Sequence, residues 1–200
     1  MKALLLADLH GSRPILDQLR KSITKYDIVL CAGDLTDFGW PQSYVDELSE
    51  VVGKIPFYWV SGNNDVAQDY QYRQNNLINI DGRVIEFKGL KLAGLGGSAP
   101  NYEGQNYGPT LDRETDLSDT ILITHIPPSR PLHYQKDDIV CNNETMKQLS
   151  HAPSVHLCGH IHNIFGTACL GQTKVIKIGT AKTGQWAELD TNSLFVSFYP

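Results

Sequence analysis

Residues 2–11 read KALLLADLHG, a short apolar run that ends in Asp8, His10 and Gly11. A run of this length suits a strand buried on both faces, as in a parallel sheet covered by helices. Asp8 and His10 stand two apart, and in extended chain that spacing projects both side chains to one side. The stretch therefore reads as a core strand whose carboxyl end carries metal-type ligands.

The neighbouring segments repeat the theme. DIVLCA (27–32) and PFYWVS (56–61) are two more apolar runs. Between the first two, Ile15, Leu16, Leu19 and Ile23 recur at helical spacing, with Ser12 placed as a cap and Pro14 in the first turn. Between the next two, Tyr44, Leu48, Val51 and Val52 form a second helical face that opens at Pro41 and ends near Gly53. This is a βαβαβ order, which implies parallel strands joined by right-handed crossovers. From Leu77 onward the texture becomes a series of short β-like pieces: NLINI, RVIEF, LKLAGL, DTILITH, SVHLCGH, KVIKIGT, GQWAEL and SLFVSFY. MKQLSH (146–151), behind the cap residue Asn143, reads as a further helix. No linker or repeat separates the halves, so residues 1–200 are expected to form one domain in which two sheets pack together with helices outside.

Bulk composition narrows the function classes. The chain has 200 residues, 41% hydrophobic and 20% charged, enough to bury a sizeable core without disulfide support. Its opening apolar run is too short for a secretory leader before Asp8 interrupts it, and no stretch approaches the ~20 apolar residues of a membrane span. A cytoplasmic protein without a membrane partner is expected. Cys31, Cys141, Cys158 and Cys169 form no C-x-x-C pair, and Cys31 and Cys158 lie inside strand-like runs as small buried hydrophobes. The net charge of −5, without a block of Lys or Arg, argues against a nucleic-acid polymer as partner. A homo-oligomer is compatible with all of this.

Five segments share one arrangement, an apolar run closed by ligand-type residues: ALLLADLH, VLCAGD, FYWVSGNND, ILITH and VHLCGHIH. In an open α/β sheet the carboxyl ends of the strands converge on one crevice, so distant side chains can meet there. Asp8, His10, Asp34, Asn63, His125, His160 and His162 then supply two carboxylates, four imidazoles and one amide. That is too many for one tetrahedral zinc and suits two divalent ions sharing a carboxylate. Ligands of this type point to Mn, Fe, Zn, Co or Ni without choosing among them. His133 reads as loop, His151 as near a helix end, and His156 as a hydrogen-bonded strand residue. The irregular stretch 98–115, with Tyr102, Asn106, Tyr107 and Arg113, reads as a functional loop. Arg130 and Lys136 are weak phosphate candidates, and GLGGS (94–98) a weak phosphate cradle.

The motifs DLHG, GDLTD, GNND, TH and GHIH, in this order over residues 8–162, resemble the calcineurin-like metallophosphoesterase superfamily. Its pattern is D-x-H, G-D-x-x-D, G-N-H-[DE], a lone His and G-H-x-H. The short length, GLGGS and THIPPS are similar to its compact Icc-like phosphoesterases. The resemblance implies a four-layer α/β/β/α sandwich of two mixed sheets and a binuclear-metal phosphoester hydrolase, foremost a phosphodiesterase acting on a small phosphoester through attack by a metal-bridged hydroxide. It also implies that Asp8, His10 and His162 hold one ion, that Asp34 bridges, and that Asn63, His125 and His160 hold the other, with Asp37 orienting a ligand histidine. Two divalent ions, less two aspartates and one hydroxide, leave about +1, which attracts a monoanionic diester.

One position departs from the pattern. Asn64 stands where the family has a His aimed at the leaving oxygen, and Asp65, which would orient that His, keeps its place without its partner. Asn64 cannot release a proton, though its amide can donate a hydrogen bond to a departing oxygen. Catalytic roles for Asn64 and Asp65 are expected on this basis, with a preference for stabilised leaving groups such as aryl esters or phosphoanhydrides. The rival reading is a metal-binding scaffold for protein assembly, since a retromer subunit has this fold and an incomplete site.

Overall fold

The computed structural model describes residues 1–41, 43–65, 76–96, 111–112, 114–128 and 151–200. Its first half is β1 (Lys2–Leu6), α1 (Arg13–Ser22), β2 (Ile28–Cys31), α2 (Tyr44–Val52) and β3 (Phe57–Trp59). Three parallel ladders follow: β1 pairs with β2, β2 with β3, and β3 with β4 (Leu77–Asn79). The chain then builds β5 (Arg83–Phe87), β6 (Leu90–Leu95), β7 (Thr120–Thr124), β8 (Val155–Cys158), β9 (Gly166–Leu170) and β10 (Thr173–Lys177) as a second sheet. It returns to the first sheet with β11 (Trp186–Asp190) and β12 (Val196–Tyr199), antiparallel to one another and, through β11, to β1. The strand orders are β12-β11-β1-β2-β3-β4 and β5-β6-β7-β8-β10-β9, both mixed sheets of six. The α/β fold of two packed mixed sheets is thus the one the motifs imply.

Alternation along the strands decides what each face touches. Leu4, Leu6, Val29, Cys31, Phe57 and Trp59 turn to α1 and α2 and pack with Ile15, Leu16, Leu19, Tyr44, Leu48 and Val52. Ala3, Leu5, Ile28, Leu30, Tyr58 and Val60 turn the other way, against Leu92, Ile121, Ile123, Val155, Leu157 and Ile176 of the second sheet. Strands with apolar residues at every position are what a sheet covered on both sides requires. The far face of the second sheet carries Ala93, Leu117 and Leu122. The helix expected at MKQLSH lies outside the described residues except for His151.

Three local readings are corrected. Ser12 occupies the cap position of α1, but its hydroxyl makes no cap bond and instead donates to the Lys182 carbonyl at 3.4 Å. The second helix begins at Tyr44, not Pro41; Pro41 lends only a carbonyl, which accepts the Tyr44 N–H at 3.0 Å. Strand β9, GTACL, is absent from the strand-like runs, because its alternating exposure comes from Gly, Thr and Ala rather than from an apolar stripe. No helix among the described residues is long and apolar enough to cross a membrane.

Candidate metal centre

The carboxyl ends of β1, β2, β3, β7 and β8 open onto one place, and hydrogen bonds weave their loops together. Asp8 N–H donates to Gly33 O at 2.9 Å, His10 N–H to Asp34 O at 3.0 Å and Gly11 N–H to Leu35 O at 2.9 Å, so the first two loops run side by side. Across the sheets, the His160 N–H donates to the Asp8 carboxylate at 2.9 Å. The loops approach so closely that a Cβ on Gly62 would overlap the Asp34 carboxylate, and one on Gly33 would stand 2.8 Å from both Gly62 N and His125 Nδ1. Asp8, His10, Asp34 and His160 all hold left-handed backbone, with φ of 54°, 47°, 53° and 73°. Such a conformation strains a residue other than glycine, and strain of this kind gathers at functional sites.

The seven candidate ligands form one continuous cluster. His162 Nε2 lies 3.5 Å from Asp8 Oδ1 and 3.1 Å from His10 Nε2. Asp34 Oδ2 faces both sides, 3.7 Å from His10 Nε2 and 3.5 Å from His125 Nε2. His125 Nε2 in turn is 2.9 Å from Asn63 Oδ1 and 3.2 Å from His160 Nδ1. Two groups, Asp8 with His10 and His162, and Asp8 with Asp34 and His125, each bring their ligand atoms within 4.8 Å of one another.

The protonation states say what this cluster fits. His125 Nδ1 donates to the Ala32 carbonyl at 2.8 Å, and burial lowers its pKa to about 4, so the ring is neutral and Nε2 bears a lone pair. That lone pair faces the Asn63 carbonyl oxygen and the Asp34 carboxylate. His10 Nδ1 is held by the Asp37 carboxylate at 2.5 Å, which leaves its Nε2 turned to His162. Burial pushes Asp8 up to about 7, against the pull of Lys177 and aided by the charge of Asp34. Two buried carboxylates crowd together with these imidazoles, and a cation in their midst would bind both kinds of donor at once. The donor set fits divalent metal. The carboxylate behind His10 and the carbonyl behind His125 are the outer partners that fix the tautomer of a metal-binding imidazole.

Asn64 and Asp65 sit differently from the expectation. The Asn64 amide nitrogen donates to Asp34 Oδ2 at 2.8 Å and its backbone N–H to Asp34 Oδ1 at 2.8 Å, so this residue grips the central carboxylate. Asp65 accepts from the backbone N–H groups of Asp34 (2.9 Å), Thr36 (3.1 Å) and Gly62 (2.8 Å). It locks two ligand loops to each other. The Gly96 N–H, in the expected phosphate cradle, hydrogen-bonds Asp81 instead; the rest of GLGGS beyond Gly96, residues Tyr102, Asn106, Tyr107 and Arg113, and Arg130, Lys136, His133 and Cys141 lie outside the described residues.

Lys177 escapes a reading of the sequence. It is 2% exposed at the end of β10 and donates to Ile161 O at 2.9 Å and Ile178 O at 2.7 Å. Ile161 separates His160 from His162, so the ammonium ties down the turn that carries both and lends a positive charge near Asp8. The one signal is a lysine inside the apolar run KVIKIG, which by habit reads as an exposed position. Thr180 escapes it too; its hydroxyl donates to the Asp8 carbonyl at 2.8 Å. His156 is half satisfied: Nε2 meets Thr124 Oγ1 at 2.8 Å, while Nδ1 is buried without a partner. His151 is exposed, in a bridge with Asp116.

Known proteins with related sequences point the same way. An uncharacterized protein of Methanocaldococcus jannaschii is 25% identical over 191 residues, covering 88% of this chain and 87% of its own. A protein of Arcobacter nitrofigilis named as a probable glycerophosphodiester phosphodiesterase is 25% identical over 191 residues, and the match spans 83% of this chain but 66% of that one. A solved structure from Thermus thermophilus superposes with a TM-score of 0.72 over 99% of this chain and 97% of its own, at 16% identity, a likeness of fold. The family model for calcineurin-like phosphoesterases matches residues 1–163, which span every strand end that feeds the cluster, and the chain belongs to that family.

Proposed function

We propose that the protein hydrolyses small phosphodiesters with two divalent ions, one held by Asp8, His10 and His162, the other by Asn63, His125 and His160, and Asp34 between them. The observation that carries this reading is the convergence of two carboxylates, four imidazoles and one amide on one place, with Asp34 Oδ2 3.7 Å from His10 Nε2 and 3.5 Å from His125 Nε2. When bound, such ions neutralise phosphate charge and lower the pKa of water toward neutrality. The chain's own residues do the rest. Asp34, gripped by the backbone N–H and the side-chain amide of Asn64, stays in one orientation, so the distance between the two halves of the centre is fixed. Asp65 keeps the loops of Asp34 and Gly62 in register, which prevents Asn63 from drifting out of reach.

An amide nitrogen carries two N–H groups: one is engaged with Asp34, and in this reading the second donates to a leaving oxygen. Without a proton donor at position 64, esters with stabilised leaving oxygens are expected to react best, since general acid help is worth about 10²–10⁴-fold. The test is metal analysis of the purified protein followed by a diester panel with added Mn²⁺. About two ions per chain and aryl diesters cleaved well ahead of alkyl ones are expected. Metal bound in that ratio with no turnover of any ester would instead favour a scaffold.

A further inference from the structure

Two large aromatic side chains stand in water beside the metal centre, Phe38 at 66% exposure and Trp40 at 64%. They belong to a turn that is tightly held. Asp37 N–H donates to Trp40 O at 3.0 Å, and Trp40 N–H returns to Asp37 O at 3.1 Å. Gly39 N–H donates to Thr36 Oγ1 at 3.1 Å. Phe38 N–H reaches across to Asn64 O at 2.7 Å. On the other side Pro41 presses on Gly11 so closely that a Cβ there would collide with its ring. The carboxylate of Asp37 meanwhile holds His10. Backbone carrying the two rings is thereby tied to the segments of His10, Asp34 and Asn64.

Neither ring contributes to the core. Apolar side chains of this size gain by burial, and these are left exposed. Phe38 also has φ of 54°, a left-handed conformation that an aromatic residue adopts under strain and that Asn or Gly would take at lower cost. A strained, rigid, solvent-facing aromatic pair at the edge of a phosphate-type site matches the way proteins present stacking surfaces to planar groups.

Resting on the phosphoesterase reading above, we propose that the Phe38–Trp40 turn is a recognition platform for a planar aromatic group carried by the phosphoester. This places the substrate among nucleoside or aryl phosphoesters rather than glycerol- or alkyl-type ones. The residues act on affinity, not on the chemical step.

The experiment measures binding, by calorimetry on the Mn²⁺-loaded protein, for two pairs of probes. Phenylphosphonate against ethylphosphonate differs by the ring and contains no ester to cleave; AMP against ribose 5-phosphate differs by the base. The aromatic member of at least one pair should bind about fivefold or more tightly, a factor set by stacking of one ring. Which pair shows the larger gap identifies the aryl or the nucleoside source. The gap should persist in Trp40→Phe and vanish in the Phe38→Asn, Trp40→Ala double variant, with no fall in Tm, because both side chains are exposed and Asn tolerates the backbone. No gap in the wild type, or a gap that survives in the double variant, overturns the platform. Binding with a gap but no ester hydrolysis would instead leave the platform standing and remove the hydrolase reading.

Discussion

The two halves of the proposed metal centre are built on the same plan and differ in charge and cover. On one side Asp8, His10 and His162 carry a carboxylate of their own, and a second carboxylate, Asp37, stands behind His10 at 2.5 Å. On the other, Asn63, His125 and His160 contribute no charge, and only the Ala32 carbonyl backs His125. Asp34 is common ground. The side with Asp8 should therefore hold its ion more tightly, and the side with Asn63 should fill second and exchange faster. On the proposed assignment, a neutral half beside an anionic half would give one fixed ion and one that substrate can share.

The strongest way to break this contrast is to remove what the two sides share. Asp34→Asn takes away the one carboxylate facing both His10 and His125. Turnover is expected to fall by about 10³-fold or more, and calorimetry should lose the weaker of two binding events first. Equal loss of both events would mean that the halves are not independent sites.

Asp37→Asn tests the anionic side alone. The substitution keeps a hydrogen-bond acceptor for His10 but removes the charge that makes the imidazole a stronger ligand. Outer partners of this kind are worth about 10–100-fold in metal affinity. The tighter event should weaken by that factor while the weaker one stays put. A shift in the weaker event would reverse the assignment of the two halves.

Lys177 sharpens the contrast further, because its ammonium acts on Asp8. In the metal-free protein it is the positive charge that opposes the buried Asp8 carboxylate. Lys177→Met should therefore lower Tm without metal by on the order of 5–10 °C, since it leaves the Ile161 and Ile178 carbonyls without their donor and Asp8 without a nearby cation. With Mn²⁺ bound the ions take over that role, and the loss should shrink. An equal loss in both states would leave the bonds to Ile161 and Ile178 as the residue's contribution.

How much of this can be read beforehand follows from what each residue does. The strand ends are legible, because an apolar run closed by Asp, His or Asn leaves a mark in the chain itself. The left-handed turns at Asp8, Asp34 and His160 are half legible, through the neighbouring Gly11, Gly33 and Gly159. The grip of Asn64 on Asp34 and the clasp of Asp65 on three backbone N–H groups are not, since the bonds to Asp34 and Thr36 join segments 29–31 residues apart and follow no periodicity. Lys177 is hidden for the opposite reason: a single lysine in a β-rich run is nearly always solvated, and only the depth of β10 reveals it.

His156 offers the smallest effect and a control for the metal-side histidines. Its Thr124 partner donates its own hydroxyl hydrogen to Ile126 O at 2.6 Å, so His156 must donate through Nε2 and keep Nδ1 bare. Burial lowers its pKa to about 4, as it does for His125, but among the described residues the bare nitrogen has no hydrogen-bond partner. The unfolded chain takes up a proton near pH 6.5 and the folded one only near 4. Stability from keeping His156 neutral is thus full above about pH 6.5 and is lost as the pH falls toward 4. His156→Leu removes that loss and the orphaned nitrogen while Thr124 keeps its bond to Ile126. Urea titrations should find the variant and the wild type close at pH 7.5 and the variant more stable at pH 5. Added Mn²⁺ should leave this difference unchanged, whereas metal bound by His125 suppresses the proton uptake of that ring; a metal-sensitive His156 difference would mean that the two imidazoles are coupled through Thr124.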